Sequence, residues 1–235
     1  MKLIFSVLDR YDIWPHFRKH YEEQGVTQFI CVSYGPKLPG VYTIPAGLPV
    51  KDFTGIKDSI CHNRVISQVI EHGEWFLIAD LDEFAVVPGI NLHEATGAAD
   101  VVGATYICGW FYDRITADGS IPAQLEDDIW KQFPLATNAS EVLCGGWTQK
   151  VVAVKGPTPV NGGHHDLRDD VPGWWRKQWR VRAQVHHFKW WGENPDKFFW
   201  NRFDEQGCYR EELTRMTNHF RKHGGIDTTA LKIYE

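Results

Sequence analysis

A continuous apolar run, residues 75–79 (WFLIA), constrains the fold more than any other segment of the sequence. A strand that is apolar at every position has both faces covered, which is typical of the centre of a parallel sheet. The run leads directly into Asp80, Asp82 and Glu83. The sequence therefore predicts an α/β protein with acidic side chains at the end of a central strand, where such sheets bind their ligands.

Strands and helices alternate along the first half of the sequence, which favours a mainly parallel central sheet with helices on its faces. One helix is predicted to end at Gly25 and a second to cover residues 56–72. Two more are predicted within residues 195–223. With 235 residues, the chain is expected to form a single domain, 1–235. Further strands are predicted at residues 3–8, 28–33, 41–44, 100–107, 149–154 and 184–188.

Charge and composition exclude several classes of protein. The formal net charge of −5 argues against a broad nucleic-acid-binding face, although it leaves room for a local basic patch at residues 174–180. No apolar run approaches the roughly 20 residues that a membrane-spanning helix needs, and the apolar start is too short for a signal peptide. The five cysteines show no CxxC spacing, which favours buried thiols in a reducing compartment. We therefore expect a cytoplasmic protein, with docking on a membrane surface left open.

The acidic run after the central strand predicts a site for a divalent cation. Extended geometry puts Asp80 and Asp82 on the same side of the chain. Two carboxylates held close together repel each other unless a cation offsets their charge. Their oxygen atoms suit Mg²⁺ or Mn²⁺, with substrate phosphates completing the coordination shell. The alternative is a solvated acidic turn that caps a helix.

Five segments carry motifs in a definite order: 62–64 (HNR), 73–84 (GEWFLIADLDEF), 150–155 (KVVAVK), 161–166 (NGGHHD) and 186–190 (HHFKW). This ordered set resembles the glycosyltransferase family 2-like and family 92-like proteins. Their hallmark is an Asp-x-Asp-Glu-Phe run after an apolar strand, preceded by a helix that carries Asn and Arg. The likeness covers most of the chain.

The resemblance implies a GT-A fold and a transferase that depends on a nucleotide sugar. Residues 1–110 would form the nucleotide-sugar-binding half, and residues 111–235 the acceptor-side half. Family 2 proteins usually carry Asp-Gly-Ser-x-Asp after the second strand, whereas this chain has SYGP at residues 33–36. Recognition of the base is therefore expected to differ.

The resemblance also implies roles for individual side chains. Asp82 would bind the metal directly, and Asp80 would contact the ribose or a metal-bound water. His164 or His165 would be a late metal ligand or a sugar contact, and the sequence does not rank the two. The other residues expected to hold the nucleotide and its phosphates are Asp9, Asn63 and Arg64.

The expected reaction builds negative charge on a departing nucleoside diphosphate, which a bound cation stabilises as a Lewis acid. Arg64 or Lys150 would add to that stabilisation. The resemblance favours inversion, in which a carboxylate takes the proton of the acceptor hydroxyl. Asp166, beside the histidine pair, is the favoured base, and Asp127 is an alternative. The expected partners are a UDP- or GDP-sugar donor and a glycan or another hydroxyl acceptor.

Two other functions fit parts of the sequence. The same carboxylates and histidines, with Mg²⁺, would serve a phosphoesterase or a phosphotransferase. However, Phe84 stands where a haloacid-dehalogenase-like Asp-x-Asp motif has Thr. A carbohydrate-binding module without catalysis would use some of the 11 tryptophans as platforms for sugar rings. The acidic run at a strand end favours the transferase over the module.

Overall fold

A computed structural model of the chain describes residues 1–7, 11–35, 37–47, 55–192 and 210–234. These residues contain ten strands in a sheet of mixed direction. The chain divides into two compact units. The first unit consists of residues 1–110 and 149–185, and the second of residues 111–148 and 186–235.

Four parallel strands form one side of the first unit's sheet: β1 (Lys2–Val7), β2 (Gln28–Ser33), β3 (Tyr42–Pro45) and β4 (Trp75–Asp80). Their spatial order is β3-β2-β1-β4. The central strand predicted from the apolar run is confirmed as β4, whose other neighbour is a strand from later in the chain.

The sheet is only partly parallel, rather than mainly parallel as the sequence predicts, because later strands join it in antiparallel fashion. In the first unit, β4 pairs in antiparallel fashion with β8 (Gln149–Lys155), and β8 pairs likewise with the first half of β6 (Tyr106–Ile115). Antiparallel neighbours need no helical crossover, which is why the helix signals thin out after the first half of the chain. The remaining strands are β5 (Glu83–Val86), β7 (Leu135–Thr137), β9 (Ala183–His187) and β10 (Ile233–Tyr234).

Helices α1 (Trp14–Glu23) and α2 (Gly55–Val69) cover opposite faces of β1. Phe5 contacts Phe17 of α1, whereas the preceding Ile4 belongs to a core cluster that contains residues of α2. Successive strand residues point to opposite faces, so the two helices bury both sides of the strand. The core cluster around α2 includes Ile4, Ile30, Val65, Ile66, Ile70, Phe76 and Ile78.

The strand predicted over residues 100–107 starts too early, because α3 (Leu92–Val101) occupies its first residues. A capping box fixes the start of α3, with Asn91 accepting from the N–H of Glu94 and Glu94 accepting from the N–H of Asn91. Val101 and Val102 are exposed at the end of the helix. β-branched side chains such as these favour a strand, but here both valines face solvent and do not pack against the core.

The second unit combines the end of β6 with β7 and β10, α4 (Ile129–Gln132), a π-helical turn (Ser140–Cys144) and α5 (Arg210–His223). Its core includes Ile115, Ala139, Leu143, Trp190 and Met216. The first of the two helices predicted within residues 195–223 falls largely outside the described residues, and α5 matches the second.

The cysteines and the helices of the described residues bear on two expectations, buried thiols and the absence of a membrane-spanning helix. Cys31, Cys61, Cys108 and Cys144 are all buried, and the first three are free thiols. Cys208 lies outside the described residues. None of the described helices has both the length and the apolar character that a bilayer crossing requires.

Candidate functional site

The carboxyl ends of the parallel strands bring Ser6, Tyr34 and Asp80 to one edge of the first unit's sheet. Ser6 and Asp80 face each other in the register of β1 and β4, and Tyr34 follows the last residue of β2. In parallel strands these ends lie at the same edge, where open α/β sheets bind their ligands. The predicted functional edge therefore carries three polar side chains from three neighbouring strands.

Asp80 is held by a lysine from the antiparallel side of the sheet. The Lys150 ammonium donates to Oδ2 of Asp80 and to Oε1 of Glu83, each at 2.6 Å. The backbone N–H of Asp80 donates to the other Glu83 oxygen at 3.1 Å. The side chains of Lys150 and Glu83 are only 3% exposed, whereas that of Asp80 is 35% exposed. Asp80 is thus the member of this group that meets solvent.

The ion pairs, rather than burial, decide the charge of this group. Burial alone would raise the pKa of Asp80, but the neighbouring Lys150 ammonium outweighs it and holds that pKa below its usual value. Burial would likewise lower the pKa of Lys150, but Asp80 and Glu83 outweigh it and raise that pKa. Asp80 and Lys150 are therefore both charged at neutral pH.

A second group lies behind this edge and is completely buried. Asp58 and His62 stand one turn apart on α2, with Asp58 Oδ2 3.1 Å from His62 Nδ1. His164, from the loop after β8, places its Nε2 2.8 Å from His62 Nδ1 and 3.8 Å from Asp58 Oδ2. A carboxylate and two imidazoles from distant parts of the chain thus converge on one point.

Two hydroxyls from the strand ends fix the carboxylate of this group. Ser6 donates to Asp58 Oδ1 at 2.6 Å, and Tyr34 donates to the same oxygen at 2.8 Å. Ser6 Oγ also lies 3.1 Å from Nε2 of His62. These contacts leave the second oxygen of Asp58 directed at the two imidazoles.

The Asp58, His62 and His164 group could hold a metal ion, because one ligand atom from each lies within 4.8 Å of the others. Burial lowers the pKa of His164 to about 3, with His62 adding to the effect, so His164 is neutral at physiological pH. Burial would raise the pKa of Asp58, but the neighbouring His62 outweighs it and lowers that pKa. A neutral imidazole and a carboxylate are the forms that bind metals.

The remaining ring nitrogen of His164 connects the two groups. Nδ1 of His164 is buried without a hydrogen-bond partner, and it lies 4.0 Å from Oδ1 of Asp80. An unpaired buried nitrogen is costly and is rare in native proteins. The backbone of His164 is also unusual, with φ at 57°.

Asn63 fastens the loop that carries His164. Its amide donates to the carbonyl of Val160 at 2.8 Å and accepts from the N–H of Val160 at 2.9 Å. The amide of Asn63 thus finds both a donor and an acceptor in the backbone of the loop. Asn63 lies next to His62, so α2 holds both the imidazole of the loop and its main chain.

The other members of the 161–166 segment face different partners. Nδ1 of His165 lies 2.9 Å from the carbonyl of Gln149. The Asp166 carboxylate forms an ion pair with Arg176 at 2.9 Å and accepts from the N–H of Leu167 at 2.7 Å. The side chain of Asp166 is 43% exposed. Of the two histidines, His164 is therefore the one that the structure brings to Asp80.

The sequence names four other site residues, of which the structure describes three. Asp82 is half-buried, two residues beyond the end of β4. Arg64 is exposed on α2 and donates to the carbonyls of Pro45 and Ala46. Asp127 is exposed in the second unit, and Asp9 lies outside the described residues.

Sequence reasoning missed Asp58 as a site residue, and it used His62 only as part of a motif. The available signal was the spacing of four residues, which puts both on one face of a helix. Their partner His164 stands 102 residues away from His62. No spacing rule links residues so far apart, so the cluster emerges only from the fold.

Comparisons with known proteins leave the family open. No family model matches the chain, and no curated protein matches it. A solved structure of UDP-glucose pyrophosphorylase complexed with UDP-glucose is distantly similar, with 8% sequence identity and a TM-score of 0.30. The match covers 94% of this chain and 99% of that one. A TM-score this low carries no argument about fold or ligand.

Proposed function

We propose that this protein is a metal-dependent glycosyltransferase that moves a sugar from a nucleoside-diphosphate sugar to an acceptor hydroxyl. The observation that carries the proposal is the state of Asp80 at the end of the central parallel strand. One of its oxygens is fixed by Lys150 at 2.6 Å, and the carboxylate is still 35% exposed. It is therefore a charged, oriented and accessible oxygen donor at the edge where nucleotides bind in α/β sheets.

Asp80 and Asp82 are the residues proposed to hold the metal, with His164 or His165 as a further ligand. Carboxylate oxygens fit Mn²⁺ or Mg²⁺, which take the rest of their shell from water and phosphates. Such an ion supplies a Lewis acid that offsets the charge of the departing diphosphate. Because Asp80 stays ionised beside Lys150, no proton competes for its oxygens at neutral pH.

The proposed role of Lys150 is to orient Asp80. Its ammonium already donates to two carboxylates and its side chain is only 3% exposed. Its low exposure leaves little room for a direct contact with the donor. Arg64 is exposed and stays the proposed cationic contact of the donor, together with Asn63 and Asp9.

Asp166 is the proposed base for the acceptor, and inversion is the proposed stereochemical course. Its carboxylate is 43% exposed and is oriented by Arg176 at 2.9 Å, so it is held and accessible at once. The base takes the proton from the acceptor hydroxyl as the new glycosidic bond forms. Asp127 stays the alternative base.

The test is donor hydrolysis with a panel of UDP- and GDP-sugars in Mn²⁺, measured on wild type, Asp82→Asn and Asp170→Asn. Asp170 is the matched control because its carboxylate is exposed and pairs with Arg168. We expect Asp82→Asn to lose at least about 100-fold in kcat, as for removal of a group that stabilises transition-state charge. Its circular dichroism and Tm should stay those of the wild type. We expect no change in Asp170→Asn.

Two outcomes would overturn the proposal. The first is full turnover in Asp82→Asn. The second is a wild type that hydrolyses none of the sugar nucleotides but cleaves p-nitrophenyl phosphate with Mg²⁺, which would establish a phosphoesterase instead.

A further inference from the structure

We propose that Asp58, His62 and His164 form a second metal site, which binds a first-row transition-metal ion such as Zn²⁺ inside the first unit. This site is separate from the Mn²⁺ or Mg²⁺ that Asp80 and Asp82 are proposed to share with the donor. Because it takes His164, it leaves His165 as the histidine proposed for that other ion. It goes beyond the proposed function, because it needs neither a nucleotide nor a sugar.

The three ligand atoms have the spacing of a coordination shell. His62 Nδ1, His164 Nε2 and Asp58 Oδ2 are separated by 2.8, 3.1 and 3.8 Å. A triangle with these sides has a circumradius of about 1.9 Å, so a point about 2.1 Å from all three atoms lies just off their plane. Metal bonds to histidine nitrogen and carboxylate oxygen have about this length. The three atoms therefore have the separations that a bound ion would require.

Protons alone satisfy this arrangement poorly. Nδ1 of His62 lies within 3.1 Å of both the His164 nitrogen and the Asp58 oxygen. A single proton on Nδ1 points well at one of these neighbours and not at both. Without that proton, two lone pairs face each other across 3.1 Å. A cation between the three atoms satisfies all of them at once.

The surrounding contacts are those that orient metal ligands. Histidines that bind a metal through one nitrogen usually donate the other N–H to an oxygen. For His62 that oxygen is the Ser6 hydroxyl, 3.1 Å from Nε2. For His164 the facing oxygen is Oδ1 of Asp80, 4.0 Å from the unpartnered Nδ1 and so beyond hydrogen-bond distance. Binding through Nε2 would put the proton on Nδ1, facing Asp80, and a shift of about 1 Å by the partly exposed Asp80 side chain would complete the hydrogen bond.

The ligand set selects the kind of ion. Two imidazoles and one carboxylate suit Zn²⁺, Fe²⁺, Co²⁺ or Ni²⁺, whereas Mg²⁺ and Ca²⁺ prefer shells made of oxygen. The side chains of His62 and His164 are 0% exposed, and that of Asp58 is 3% exposed. An ion held there would exchange slowly and would not contact the sugar nucleotide. It would influence the sheet edge that carries Asp80 through His164, whose Nδ1 lies 4.0 Å from Asp80 Oδ1.

The test is metal binding by tag-free protein that has been stripped with a chelator, using Zn²⁺, Co²⁺ and Mg²⁺ alone. We expect the wild type to bind one equivalent of Zn²⁺ with a raised Tm and to develop visible absorption with Co²⁺. Excess Mg²⁺ should not displace the bound Zn²⁺ or Co²⁺, because Mg²⁺ prefers shells made of oxygen. In Asp58→Asn and His62→Gln, affinity for Zn²⁺ should fall by at least about 100-fold, since one of three ligands is lost. His62→Cys, which replaces one zinc ligand with another, should recover part of the binding.

Two control variants show whether zinc binds at this cluster or elsewhere on the protein. His20→Gln removes a buried histidine that bonds the carbonyl of Ala85, outside the cluster, and should bind Zn²⁺ like the wild type. Asp82→Asn should also keep its zinc, even if it loses donor hydrolysis, so the two proposals can fail independently. A stripped, folded wild type that binds neither Zn²⁺ nor Co²⁺ would overturn the second site. Unchanged affinity in folded His62→Gln would do so as well.

Discussion

The Lys150 ammonium lies 2.6 Å from Oδ2 of Asp80, within the same unit of the chain. It lies equally close to Oε1 of Glu83. The repulsion between carboxylates at the end of the central strand is therefore relieved by a side chain of the protein itself. A metal at Asp80 would add to this balance rather than create it.

Replacing Lys150 with Met should destabilise the fold strongly. The substitution leaves Glu83 buried and Asp80 partly buried without their cation, a change that typically costs roughly 3–5 kcal/mol. The lower end is expected, because Asp80 still meets water. Urea unfolding monitored by tryptophan fluorescence would measure the loss.

Lys155→Met is the matched control on the same strand, β8. Lys155 forms its ion pair with Asp100 at the surface, and such pairs contribute less than about 1 kcal/mol. Equal losses of unfolding free energy in the two variants would mean that the buried ion pairs of Lys150 stabilise the fold no more than the surface pair of Lys155.

Asn63→Ala should loosen the loop that carries His164. The variant loses both hydrogen bonds to Val160 and leaves the polar backbone of a buried residue unpaired, which costs about 1–3 kcal/mol. Hydrogen exchange should accelerate in residues 160–167. Gln68→Ala, on the exposed side of the same helix, should leave the exchange of that loop unchanged.

Asp113→Asn should destabilise the second unit. Its buried carboxylate accepts from the Ser140 N–H and hydroxyl, each at 2.6 Å, and lies 3.0 Å from Nδ1 of His187. An amide presents one NH₂ group to these donors, so at least one contact becomes donor against donor. We expect a loss of about 2–4 kcal/mol in denaturant unfolding. Asp127→Asn, at an exposed carboxylate, should match the wild type, and a stable Asp113→Asn would argue against this network.

His20 should make the protein less stable at mildly acidic pH. Burial lowers the pKa of His20 from its ordinary value of 6.5, so below that pH the unfolded chain binds a proton that the folded chain does not. The contribution is fully present above about pH 6.5 and is lost as the pH falls, by up to about 1.4 kcal/mol per pH unit.

The measurement is the free energy of unfolding between about pH 7.5 and about pH 5 for wild type and His20→Gln, where glutamine keeps a donor for the Ala85 carbonyl. As the pH falls, the free energy of unfolding of the wild type should decrease relative to that of His20→Gln. Parallel curves would show that His20 does not titrate differently in the folded state.

The sequence predicts the parallel part of the fold well, because local patterns decide it. The run of residues 75–79 is apolar throughout and becomes β4, and Gly25, with φ at 87°, follows the end of α1. The antiparallel part depends on which later strand pairs with β4. That choice is made by contacts between distant residues, and no local pattern in β8 distinguishes the two directions.

The candidate site shows the same division. Asp80 stands out because it ends an apolar strand, and His164 because it follows two glycines. The contribution of Asp58 is invisible in the sequence, since a single acidic residue near the start of a helix usually faces water. Only the fold shows that its partners are Ser6, Tyr34 and the two histidines.

The left-handed backbone of His164, with φ at 57°, restricts which residues can ever replace it. Asn, Asp and Gly accept this conformation most readily, while other side chains add a strain of about 1–3 kcal/mol. Among the tolerant residues, only Asp would still supply a strong metal ligand. Few substitutions are therefore tolerated at this position. A protein that replaces this histidine with Asn or Gly is expected to keep the fold but to lose the metal ligand in one step.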